Sequence, residues 1–257
     1  MRLRLLAVLV MLSPLAQGEL VTKTVDYEHD GKAMKGYLAY DPAMAGSRPG
    51  VLVIHEWWGL NDYARRRTEE LAEMGYVAFA ADMYGGGVTT KDPDEAGRLA
   101  GQVKGTPLMA ERARKGLAML RDQAGVDPAR VAAIGFCFGG TAVLELAYSG
   151  ADVNGVAAFH AGLTRPEPDA HEDIAASILV LHGSEDPMNP PEKVMAFRRS
   201  LDEAGADWQM VTYGGAVHSF TNPEADEVGM DGVAYDAEAA RRSWKHMQLF
   251  FDELFQR

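Results

Sequence analysis

Cys137, the only cysteine of the 257-residue chain, is the centre of Gly135-Phe-Cys-Phe-Gly139. An apolar, β-branched run precedes it at 131–134, and small apolar residues at helical spacing follow over 139–148. Strand, tight turn and helix is the layout that stands a nucleophile on a strained backbone at the carboxyl end of a sheet. Gly135 and Gly139 suit it, because strand and helix approach there so closely that a Cβ would collide. A thiol so placed attacks as the thiolate once a base has taken its proton. The plain alternative is a small buried core cysteine.

Such a thiol needs partners, and in an open α/β sheet they gather where strands end. His55-Glu56-Trp57-Trp58 follows the run 51–54, His182-Gly-Ser-Glu185-Asp186-Pro187 follows 178–181, and His218-Ser-Phe220 lies just past 209–213. Cys137 precedes Asp186 by 49 positions and Asp186 precedes His218 by 32. That order, nucleophile, acid, histidine, is the one α/β-hydrolase triads use. His218 would take the thiol proton and Asp186 would hold the imidazole in its tautomer. Taken singly, Asp186 reads equally as a turn acid before Pro187 and His218 as a loop histidine; Glu185 competes for the acid's place. Backbone N–H groups of Phe138 and Trp57 are placed to form an oxyanion hole. His160 and His182 also end strands and read as satisfied structural histidines. Gly85-Gly86-Gly87 lacks the Lys and Ser/Thr of a phosphate loop and reads as a flexible rim. With no zinc-like spacing, neither metal nor cofactor is expected.

The elements that must hold these groups are legible. Segments 21–27 and 33–40 flank Asp30-Gly31, a hairpin signal. Short, near-continuous apolar strands are expected at 51–55, 77–81, 131–134, 156–159, 178–181 and 209–213, with helices at 63–74, 108–123, 139–148 and 191–204 between them. A last helix at 236–255 carries Ala240, Trp244, Met247, Phe251 and Leu254 on one stripe. This pattern predicts an α/β fold, a mostly parallel sheet with helices on both faces.

Residues 1–18 combine a basic start, a short apolar run and a small-residue exit, the parts of a secretory signal peptide. The mature chain is then expected to run over 19–257 as one domain, exported to the periplasm or outside, and monomeric. Removing that segment lowers Lys plus Arg from 25 to 23 against 37 acidic residues, so the net charge moves from −12 to −14. So acidic a chain is a poor partner for nucleic acid or an anionic membrane.

His55-Glu-Trp-Trp-Gly-Leu-Asn61, Asp82-Met-Tyr84, Gly135-Phe-Cys-Phe-Gly-Gly140, Gly183-Ser-Glu-Asp-Pro187 and His218-Ser-Phe220 together resemble the dienelactone hydrolase family. The likeness runs from about residue 21 to the C-terminus. It implies an α/β-hydrolase fold and a Cys137, Asp186, His218 triad that hydrolyses a small ester or lactone through an acyl-cysteine. It also implies that Glu56 contacts the resting thiol, where a carboxylate keeps sulfur protonated. Members acting on dienelactone hold its carboxylate with two arginines, and the corresponding positions here are Gly86 and Asn222. Arg165 and Lys91 are the nearby cations that could substitute for them. A neutral ester, lactone or thioester therefore fits better than an anionic substrate. The alternatives are a thioesterase or broad carboxylesterase and, in another class, a non-catalytic thiol sensor or ligand-binding protein.

Overall fold

Asp30 and Gly31 have φ of 50° and 73°, the left-handed pair that a two-residue hairpin turn requires. They join β1 (Val21–His29) to β2 (Lys32–Tyr40) in antiparallel register. The computed structural model describes residues 19–166 and 174–256; the expected signal peptide lies outside them. After the hairpin the chain alternates: β3 (Arg48–Ile54), α1 (Asp62–Glu73), β4 (Val77–Ala81), α2 (Pro93–Gly101), α3 (Leu108–Arg121), β5 (Val126–Phe136), α4 (Phe138–Tyr148), β6 (Gly155–Phe159), β7 (Ser177–Gly183), α5 (Pro191–Glu203), β8 (Trp208–Tyr213) and α6 (Ala237–Gln256). Among the described residues no helix is long and apolar enough to cross a membrane.

The strands form one eight-stranded sheet in the order β1-β2-β4-β3-β5-β6-β7-β8. From β4 to β8 all pairs are parallel. The chain moves one way from β3 to β4 and the other way to β5, so the sheet has its switch point between β3 and β5, the place where such sheets open a crevice. Successive strand residues alternate between two cores. Leu52, Ile54 and Val131 face Phe79, α3 and α4, whereas Val51, Val53 and Phe136 face α1 and α6 through Leu71, Met247 and Phe251.

Two expectations needed adjustment. Strand β5 begins at Val126 rather than 131, because Arg48 and Pro49 of β3 pair with Val126 and Asp127 before a register shift. Helix α2 was not anticipated, although its start is written in the chain: Asp92 accepts hydrogen bonds from the Asp94 and Glu95 N–H groups and Pro93 occupies the first turn.

Candidate active site

The turn between β5 and α4 is as tight as its glycines imply. A Cβ on Gly135 would lie 2.0 Å from Gly139 O, and one on Gly139 would lie 2.2 Å from Ile54 O. Cys137 has φ 53° and ψ −112°, a strained conformation for a side-chain-bearing residue. Four non-glycine residues among those described have positive φ, and besides the hairpin's Asp30 they are Cys137, His160 and Ser219. Backbone strain is thus gathered at one place. Phe138 opens α4, so its N–H has no partner within the helix; the Trp57 N–H also has none among the described residues. These two donors and the positive end of α4 favour negative charge near Cys137.

Asp186 and His218 come from the loops after β7 and β8 and meet: His218 Nδ1 is 3.0 Å from Asp186 Oδ2. Met188 N–H and Asn189 Nδ2 also donate to the carboxylate, each at 2.9 Å. Burial alone would raise the Asp186 pKa; the bonds and charge of His218, with those donors, outweigh it and hold it below the ordinary carboxylate value. Burial would likewise push His218 down, but its electrostatic and hydrogen-bonding interactions with Cys137 and with the Asp186 carboxylate raise it to about 10. His218 Nε2 is buried with no nitrogen or oxygen partner among the described residues, and Cys137 is the side chain that interacts with the ring away from Asp186. The ring is therefore fixed by Asp186 on one side and paired with Cys137 on the other, in a cavity that both His218 and Cys137 line. Glu185, the competing acid, is exposed, and among the described residues its carboxylate accepts only from Ser184 Oγ.

Glu56 is held by hydrogen bonds from the loop that carries His218. It is buried, and its oxygens accept from Ser219 Oγ at 3.2 Å and Asn222 Nδ2 at 2.7 Å; no hydrogen bond to Cys137 occurs among the described residues. Burial raises its pKa, and those two bonds with the His218 and Arg67 charges offset only part of that. Asn222 thus holds a carboxylate of the protein itself. Of the two nearby cations, Lys91 lines an adjoining cleft, and Arg165 lines neither it nor the catalytic cavity. The Gly85–Gly87 segment is less free than expected: Asp82 accepts from the N–H groups of Tyr84, Gly85 and Gly87 at 2.8–2.9 Å.

His160 has a part that its position did not disclose. Its Nδ1 accepts from the Cys137 N–H at 3.1 Å, and its Nε2 lies 2.7 Å from Thr221 Oγ1, itself 2.7 Å from Tyr63 OH. A ring accepting at Nδ1 must be neutral, and burial followed by the charges of His218 and Arg67 keeps its pKa well below the usual histidine value. His182, by contrast, is not satisfied, since its buried Nδ1 has no partner among the described residues. His160 steadies the strained residue, so His160→Leu is expected to lower kcat about 10²-fold. His160→Asn, which keeps an acceptor, should recover most of it. Two variants equally slow, or a leucine variant at wild-type rate, would remove His160 from this role.

The cavity above Cys137 is about 210 Å³ and is lined by Trp57, Trp58, Phe138, Met188, Val228 and Met230 among others; Lys104 is its one permanently charged lining residue. It is apolar, with a few convergent polar groups at one wall, as small-molecule sites are.

Three comparisons bear on this arrangement. The dienelactone hydrolase family profile matches residues 34–255. A solved structure described as the dienelactone hydrolase-like promiscuous phosphotriesterase P91, from metagenomic libraries, is 39% identical, with a TM-score of 0.88 over 92% of this chain and 99% of its own. Protein usf of Aquifex pyrophilus is 29% identical over 239 residues, 89% of this chain and 97% of that protein. Esterase Est2 of Thermogutta terrifontis shares the α/β-hydrolase fold at 18% identity and a TM-score of 0.64, covering 91% of this chain and 92% of its own.

Proposed function

The chain belongs to the dienelactone hydrolase family and is a hydrolase of ester bonds, and from that premise we propose that it cleaves neutral carboxylic esters or lactones through an acyl enzyme on Cys137. The supporting observation is the buried Asp186–His218 pair at 3.0 Å, with the far side of the imidazole interacting with Cys137 in the cavity that both line. The Cys137 thiolate attacks the carbonyl carbon, and the Trp57 and Phe138 N–H groups receive the oxyanion. As the C–O bond breaks, the His218 imidazolium gives its Nε2 proton to the leaving oxygen. Water then attacks the thioester and His218 takes its proton. Collapse releases the acid and restores the thiolate. Removing one oxyanion donor from such a site costs about 3–4 kcal/mol, which is why both N–H groups matter. The missing arginine side chains at Gly86 and Asn222 support a neutral substrate.

Rapid quenching of the enzyme with a p-nitrophenyl ester should release a burst of one equivalent of nitrophenol. Intact mass should rise by the acyl group, on the peptide carrying Cys137. Steady turnover with no burst and no adduct, retained by Cys137→Ala, would overturn the acyl-cysteine route. Likeness to a phosphotriesterase favours a second activity at the same thiol, and a phosphotriester in the same assay should leave a phosphoryl adduct.

A further inference from the structure

A second cleft, about 120 Å³, shares Trp58, Asn222 and Val228 with the catalytic cavity. The two therefore meet along one wall, but they differ in chemistry. Where the catalytic cavity has Met188, Met230 and Val233, the cleft adds Asn61, Thr90, Lys91, Glu224 and Glu227.

Its wall is tied together by hydrogen bonds. Thr90 N–H donates to Trp58 O at 3.0 Å, and Glu224 N–H donates to Asn222 Oδ1 at 3.0 Å. What remains unused faces a ligand. Asn61 spends its oxygen capping α1 and keeps its amide N–H groups. The Thr90 hydroxyl accepts from Asp92 N–H at 3.0 Å and keeps its own proton. Lys91 and Glu227 have no side-chain hydrogen bond or ion pair among the described residues, whereas Glu224 is paired with Arg66 at 2.8 Å.

With Glu224 offset by Arg66, the open charges are one cation and one anion, so the cleft favours neither an anionic nor a cationic ligand. A hydroxyl group both donates and accepts, and several on one small frame match this mixture. Trp58 gives the cleft an apolar stretch of wall for the C–H groups of such a frame.

The segment after His218 lines both spaces: His218, Ser219 and Ala225 face the catalytic cavity, Glu224 and Glu227 face the cleft, and Asn222 and Val228 border both. The leaving oxygen takes its proton from His218, and a group bonded to that oxygen reaches the cleft along this shared wall. We propose that the cleft is a subsite for an uncharged polyhydroxyl alcohol, and that the preferred substrate is its ester with an apolar acid seated in the catalytic cavity. This rests on the ester-hydrolase reading above.

The test compares kcat/KM for ethyl butyrate, butyrylglucose and ethyl gluconate, in the wild-type protein and in a Thr90→Val, Lys91→Met variant. Butyrylglucose should exceed ethyl butyrate by about tenfold or more, and that ratio should fall toward one in the variant. Equal values in the wild-type protein, or a ratio the variant leaves intact, overturn the subsite. A gain for ethyl gluconate alone would place the hydroxyls on the acyl side and overturn the assignment made here. If ethyl butyrate is not hydrolysed either, the ester-hydrolase reading fails first, and the proposal falls with it.

Discussion

Alanine at Cys137 and alanine at His218 are each expected to lower kcat on a neutral ester by roughly 10⁵-fold, and the double variant should be no slower than either alone. The reason is that the two side chains perform one step. Without His218 the thiol has no base and the leaving oxygen no proton donor, so Cys137 contributes little. Without Cys137 there is no acyl acceptor, and His218 has nothing to activate in the first half-reaction. A residual rate above water should survive in all three, because the Trp57 and Phe138 N–H groups and the apolar cavity remain. Steady-state kinetics on variants checked for native circular dichroism decide the matter. Two independent losses that multiply in the double variant would mean that the residues act separately. A His218→Ala enzyme near wild-type turnover would sink the mechanism outright.

The framework of this site was legible because its signals are local. The glycines around Cys137 announce a close approach, and in the structure a Cβ on either Gly135 or Gly139 would fall within 2.2 Å of backbone atoms. Apolar strands of five to seven residues, such as β4, β6 and β7, can be read from their short, near-continuous apolar runs. The order of Cys137, Asp186 and His218 placed the acid and the histidine at strand ends that the sheet brings together. What was not legible depends on side chains distant in sequence. Nothing local in Phe159-His160-Ala161 says that Nδ1 turns back onto Cys137 N–H, 23 positions earlier. The bond from Asn222 to Glu56 spans 166 positions, and only the fold sets it. That bond gives the buried Glu56 carboxylate an amide donor which no local pattern around Glu56 announces. Asn189 escaped for a simpler reason, since an asparagine in a Pro-rich turn reads as turn chemistry until its Nδ2 is found on Asp186.

Asp186→Asn is expected to keep the shape of the site and lose roughly 10³–10⁴-fold in kcat. Its Oδ1 can still accept from Met188 N–H, but an amide N–H in place of Oδ2 faces His218 Nδ1 and favours the wrong tautomer. The carboxylate also supports the charged ring, being among the groups that raise His218 to about 10. The sign of the pH effect follows. A group with a raised pKa stays protonated up to that value, so the wild-type enzyme keeps its proton donor for the leaving oxygen until the pH nears 10. Removing the carboxylate lowers that pKa, and the alkaline limb of kcat moves to lower pH. The acyl-enzyme step needs the protonated ring and deacylation needs the neutral one, so the limb is measured on an ester whose poor leaving group makes acylation rate-limiting. An asparagine variant with its alkaline limb unmoved would show that Asp186 orients His218 without sustaining its charge. One that kept its rate as well would exclude Asp186 from the triad, leaving exposed Glu185 as the neighbouring acid in the same loop.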